Sequence, residues 1–169
     1  MTPCSSPTAI RLTTLKILGL NYLITYSNSI IKTEHPVLAI DHGDARIGIA
    51  ATDPVGIMAH PVETIQVKTC DPIERIAELV ELRQVKQIVL GLPLRLDGSE
   101  GSASIKVRRF GKLIRARLPD IPFHLCDETF TTVAAAEKLH QAGKNAKRQK
   151  SIIDQAAAVE ILNNWLGWN

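Results

Sequence analysis

The first uninterrupted apolar run after the N-terminal stretch is Val37-Leu38-Ala39-Ile40, the pattern of a strand buried on both faces. Gly43 and Gly48 flank a turn, and Ile47-Gly48-Ile49-Ala50-Ala51 predicts a second strand that Asp53-Pro54 stops. From Val62 to Val67 apolar and polar residues alternate, which predicts a third. The short intervals between these segments make an antiparallel meander.

The period then changes. Asp71-Pro72-Ile73-Glu74 offers an N-cap, a proline at the first helical position and a capping-box acid, and Ile73, Ile76, Ala77 and Val80 line one face of the helix that follows. Gln87 to Gly91 predicts a fourth strand, ended by Leu92-Pro93 and an Asp97-Gly98 turn. A second helix is expected from about Ser102 to Leu118, with Ala103, Val107, Phe110, Ile114 and Leu118 buried. Phe123 to Asp127 predicts a fifth strand. Two more helices are expected, about Thr132 to Gln141 and Ile152 to Leu166, separated by Gly143 and a basic linker. The order β-β-β-α-β-α-β-α-α, with right-handed crossovers, predicts an α/β fold: a mixed five-stranded sheet with helices on both faces. This is the ribonuclease H-like arrangement, in which the first strand is central and the fourth lies parallel beside it.

Composition narrows the picture in three ways. A chain of 169 residues suits one domain with a full core. Its formal charge of +3 is modest, but the cations are clustered. Lys106 to Arg117 and Lys138 to Lys150 contain Lys and Arg and no acid, as solvated helix faces or nucleic-acid contacts do. Cys4, Cys70 and Cys126 share no ligand spacing, which argues against a disulfide framework or a zinc site and for a reducing compartment. Residues 1–35 differ in character: no acid precedes Glu34, hydroxyl residues are frequent, and polar residues interrupt the apolar run from Leu15 to Ile31. That run is too polar to span a membrane and lacks a signal-peptide cleavage pattern. The expected organisation is a poorly ordered extension over 1–35 and one domain over 36–169.

The candidate chemistry is carboxylate. Asp41 follows the apolar run at the carboxyl end of the central strand, where ligands of open α/β sheets gather. The plainer alternative is a turn aspartate bonded to its own backbone. Asp127-Glu128 ends the fifth strand, and alternation allows only one of the two to share the side of Asp41. The plainer alternative is an acidic pair capping the next helix. Ser151-Ile152-Ile153-Asp154 has the form of a capping box, while Ala156-Ala157-Ala158 would let its helix lie close on the sheet and bring Asp154 towards Asp41. Converging carboxylates need a cation, and hard oxygen donors suit Mg²⁺ or Mn²⁺. A pair of such ions about 4 Å apart activates water and stabilises the leaving oxygen in phosphodiester cleavage. The five histidines are scattered and read as surface or packing residues.

Four motifs carry a family resemblance. Asp41-His42-Gly43-Asp44-Ala45-Arg46-Ile47-Gly48 resembles the Asp-x-Gly-x-x-Arg-Ile-Gly signature of the YqgF family, also called RuvX. Gly91-Leu92-Pro93-Leu94 with Asp97-Gly98-Ser99-Glu100-Gly101 is similar to its Gly-Leu-Pro segment and Asp-Gly turn. Asp127-Glu128-Thr129-Phe130-Thr131-Thr132-Val133 resembles its Asp-Glu-Arg-Leu-Ser-Thr-Val motif, and Asp154-Gln155-Ala156-Ala157-Ala158 its last. The resemblance implies a cytoplasmic nuclease that matures the 5′ end of pre-16S ribosomal RNA. It implies an acidic triad of Asp41, Glu128 and Asp154 binding Mg²⁺ or Mn²⁺, with Asp127 as a fourth candidate ligand. One departure matters: the family's Arg is Thr129 here, removing a cation that would orient a phosphate or pair with a carboxylate.

Arg46 is expected to touch phosphate or to anchor the turn through an acid such as Asp44. Lys147, Arg148 and Lys150 are expected on a mobile linker over the site, touching substrate. The expected partner is nucleic acid, either pre-16S rRNA or branched DNA, with no membrane; a homodimer is compatible with this reading. Three rival functions differ in what would reveal them. A resolvase of Holliday junctions or other structures would cut branched DNA. A non-catalytic nucleic-acid-binding module would show no magnesium-dependent cleavage. A phosphotransferase of the sugar-kinase type would bind ATP, and needs two such domains where this chain has one.

Overall fold

The computed structural model describes residues 34–95, 97–127 and 152–168 in full and the backbone of 13–17, 20–24 and 146–151. The chain divides into two compact units, Met1–Thr33 and Glu34–Asn169. In the first, β1 (Thr13–Ile17) and β2 (Leu20–Ile24) pair antiparallel, with Thr13 opposite Ile24.

The second unit holds a five-stranded sheet of order β5-β4-β3-β6-β7. Its strands are β3 (Val37–His42), β4 (Arg46–Thr52), β5 (Ala59–Gln66), β6 (Gln87–Leu92) and β7 (Phe123–Asp127). The first three form the expected antiparallel meander, with a bulge at Ile49/Ala50 in the β4–β5 ladder. β6 runs parallel to β3, and β7 parallel to β6. β3 is therefore central and continuously buried from Val37 to Ile40, as its apolar run predicts.

Helices α1 (Pro72–Leu82) and α2 (Ser102–Arg117) cover one face. Asp71 caps α1 as expected, its carboxylate accepting from the backbone N–H of Ile73 at 2.8 Å. In α2 the buried stripe is Ser104, Val107, Phe110, Gly111 and Ile114, while Ala103 is exposed. The start of the stripe is thus one residue from the sequence expectation. Ser104 can be buried because its hydroxyl is satisfied, donating to the Pro93 carbonyl and accepting from the Gly101 N–H at 3.1 Å.

Helix α3 (Ala146–Leu166) crosses the opposite face, burying Ala158, Ile161 and Leu162. It begins well before the expected Ile152, because Ala146-Lys147-Arg148-Gln149-Lys150 holds good helix formers and no breaker. Two expectations fall with this. Lys147, Arg148 and Lys150 belong to the first turns of a helix, not to a linker, and Ser151 lies inside the helix rather than at its N-cap. The helix expected at Thr132 to Gln141 lies outside the described residues. No helix among the described residues is long and apolar enough to cross a membrane.

Candidate catalytic edge

Strand alternation sorts the side chains of β3 between the two faces. Leu38 and Ile40 pack with α1 and α2, while Val37 and Ala39 pack with α3. Asp41 continues the second set and so faces α3; His42 continues the first, its ring tilted 44° against that of Phe110 with centroids 4.5 Å apart. Burial pushes the His42 imidazole below its usual range, so it remains the neutral packing residue that the scattered histidines suggest.

The β3–β4 hairpin is closed by the Gly43 N–H donating to the Arg46 carbonyl at 3.0 Å. A Cβ on Gly43 would stand 2.7 Å from that same oxygen, so the turn leaves no room for a side chain there. One register step further, Gly48 lies directly opposite Asp41. A Cβ on Gly48 would lie 1.9 Å from the backbone oxygen of Asp154. The missing side chain is what lets the backbone of α3 press onto β4 at this level. Two polar ties hold it there. Arg46 Nε donates to Asp154 Oδ2 at 2.5 Å, and Gln155 Nε2 donates to Thr64 Oγ1 at 3.2 Å.

Asp41 and Asp154 are thereby brought to one face of the sheet at its carboxyl edge. Burial and, after it, the charge of Asp154 raise the Asp41 carboxyl from 3.8 to about 6. Asp154 is not a helix cap, since it sits more than two turns into α3. Arg46 is its partner, and that guanidinium is held more firmly protonated by the contact. Asp44 instead engages Lys106 Nζ through both oxygens at 2.8 Å, which holds its carboxyl below the usual range. The acid that anchors Arg46 is therefore Asp154 and not Asp44.

The described part of the fifth strand alternates between the two faces. Phe123 packs with the α1–α2 core, whereas Cys126 packs against α3 and approaches the Ile161 carbonyl. Asp127, in phase with Phe123 and paired in register with Leu92, lies on the face away from Asp41. Glu128 and Thr129 lie outside the described residues, as do the side chains of Lys147, Arg148 and Lys150. Among the described residues no group of three His, Cys, Asp or Glu side chains comes together to hold a metal. Sequence reasoning missed the role of Gly48: a glycine inside an apolar strand marks a site of close backbone approach.

A family model described as RuvX: Holliday junction resolvase matches residues 35–167. A proposed pre-16S rRNA nuclease of Cutibacterium acnes is 46% identical over 130 residues, covering 76% of this chain and 80% of that protein. One of the same name from Nocardia farcinica is 45% identical over 136 residues, covering 76% of each. Among solved structures, T. thermophilus RuvC in complex with a Holliday junction substrate superposes with a TM-score of 0.50 at 15% identity, covering 78% of this chain and 94% of that one. That likeness is one of fold, and it is the ribonuclease H-like fold that the element order predicts. The chain belongs to the RuvX family.

Proposed function

We propose that this protein is a cytoplasmic nuclease that hydrolyses phosphodiester bonds in pre-16S rRNA at the 5′ end. The observation that carries the reading is the convergence of Asp41 and Asp154 at the carboxyl edge of the sheet, across the gap left by Gly48. Two carboxylates on one face, one of them raised to about 6 by burial and by the other's charge, form an anionic donor pair. Such a pair fits a hard divalent cation, Mg²⁺ or Mn²⁺, with Asp41 and Asp154 as two of its oxygen donors. Glu128 is the proposed third donor, and Asp127, on the far face, is left to shape the end of β7. A bound divalent ion supplies Lewis-acid activation of water and of the scissile phosphate.

The chain's own residues do the rest. Arg46 holds Asp154 in place and sets a positive charge beside the position a phosphate would take. The neutral His42, half-buried against Phe110, keeps the hairpin seated on α2. Lys106 bound to Asp44 fixes the hairpin tip from outside.

The test is cleavage of a pre-16S rRNA fragment with and without Mg²⁺ or Mn²⁺, in the native protein and in Asp41→Asn. Divalent-dependent cutting that disappears in the variant is expected. Cutting that resists both chelation and Asp41→Asn would overturn the proposal. The family description favours a second reading, a resolvase acting on branched DNA. A four-way DNA junction in the same assay separates the two by rate.

A further inference from the structure

Helix α2 carries six cations, and they are not equivalent. Arg108 pairs with Glu100, and Arg117 with Glu74, the latter at 2.8 Å. The other four, Lys106, Arg109, Lys112 and Arg115, recur every third residue and so form one continuous ridge winding along the helix. Neighbours in such a row have Cβ atoms about 5–6 Å apart. The row begins beside the candidate catalytic edge, where Lys106 meets Asp44 of the β3–β4 hairpin. From there it leads away along a helix of 16 residues, roughly 24 Å in length. Arg109, Lys112 and Arg115 are exposed and form no ion pair among the described residues.

We infer that this ridge is the track on which the substrate strand lies as it leaves the catalytic edge, with Arg109, Lys112 and Arg115 meeting consecutive phosphates. The inference rests on the nuclease reading and adds to it a surface on a different element. Charge complementarity selects the occupant. No acid interrupts α2, and Arg109, Lys112 and Arg115, unpaired with any acid among the described residues, offer a positive stripe to a polyanion. A second copy of this chain docked helix against helix would set the same cations against one another across a twofold axis, which like charges oppose. Apolar surface accompanies the row, as single-strand binding needs. Ile105 and Leu113 are more than half exposed beside it. At its far end Lys112 and Arg115 border a hollow of about 630 Å³ whose other walls include Leu118, Ile121 and Phe123, with Asp120 as the opposing charge. Bases of an unpaired strand have apolar surface on which to rest there.

The experiment measures affinity against salt for labelled single-stranded RNA and for a labelled four-way DNA junction. It uses the full chain in an Asp41→Asn background, which stops cleavage and removes a repelling charge. One variant combines Arg109→Ala, Lys112→Ala and Arg115→Ala. A charge-matched control combines Lys86→Ala, Arg108→Ala and Arg117→Ala. The ridge variant should bind about tenfold more weakly or worse at low salt, with a salt slope shallower by about two, at roughly 0.7–0.9 per phosphate. The control should change the slope by less than about one. Equal losses in the two variants, an unchanged slope in the ridge variant, or no binding by the parent would overturn the inference. So would a parent dimer that the ridge variant abolishes, seen by sedimentation, with nucleic-acid affinity intact. Cleavage by the native protein is scored separately, so failure of the ridge is told apart from failure of the nuclease reading.

Discussion

The two faces of the sheet are built to different specifications. Towards α1 and α2 the strands present Leu38, Ile40, Ile47, Ile49, Ile88 and Leu90, large side chains that interlock with Ile76, Leu79, Phe110 and Ile114. Ion pairs close the rim of that layer, Arg75 with Glu63 and Glu78, and Arg117 with Glu74. Towards α3 the strands present Val37, Ala39, Ala50 and Val89, with Gly48 at the candidate catalytic edge, against Ala158, Ile161 and Leu162. The first face stabilises the domain by volume. The second trades volume for proximity: small residues let a helix backbone sit on the sheet and carry Asp154 to Asp41. Substitutions on the two faces should therefore separate stability from chemistry.

On cleavage, Asp41→Asn should have the largest effect, a loss on the order of a thousandfold, equivalent to about 4 kcal/mol of barrier. The same change should stabilise the metal-free protein. The Asp41 carboxyl ionises near 3.8 when unfolded and near 6 when folded. Between those values the folded state binds more protons, so metal-free stability falls as pH rises through the window. Asp41→Asn should flatten that fall and raise stability at pH 7 by about 2 kcal/mol, a figure reduced for partial solvent screening. Chemical denaturation in chelator from pH 4 to 8 reads both effects. If Asp41→Asn is less stable than the parent at pH 7, the two-face contrast is wrong at its centre.

Gly48→Ala comes next. Its methyl group would meet the Asp154 oxygen at 1.9 Å, so α3 must move. We expect a stability cost of about 3 kcal/mol and, in the folded fraction, a cleavage loss of about a hundredfold. A thermal melt and single-turnover cleavage check the pair of values.

Arg46→Gln removes the partner of Asp154 with little loss of packing. Cleavage should fall about tenfold, and stability should change little, since the pair is partly open to water.

Leu90→Ala should move activity least. It opens a cavity in the voluminous face and should cost about 3 kcal/mol of stability, yet leave cleavage per folded molecule unchanged at low temperature. A tenfold fall in that value would show that the two faces are not separable.

Most of the sheet was legible because its signals are local. The run Val37 to Ile40, the Asp71-Pro72 cap and the segment Phe123 to Asp127 each act over a few residues, and each lies where it was expected. Asp41 stood out for the same reason, as a carboxylate placed directly after a buried run. The pairing of Arg46 with Asp154 was not legible, since 108 residues separate them and Asp44 offered a nearer acid. The Ser151-x-x-Asp154 spacing misled because a capping box and a mid-helix segment look alike when the residues before them also favour a helix. In α2 the exposed Ala103 and buried Ser104 reversed the hydrophobic expectation, because a satisfied hydroxyl can be buried beside a backbone carbonyl.

The contact between β4 and α3 also sets a timetable. Arg46 and Asp154 are 108 residues apart. At about 5–20 residues per second of synthesis, the hairpin waits roughly 5–20 s before its partner helix has been made. Throughout that interval the growing chain holds Asp41 without Asp154, and so lacks the paired carboxylates. On the proposed nuclease reading, a nascent chain emerging among the RNA of its own ribosome is therefore unarmed until α3 docks.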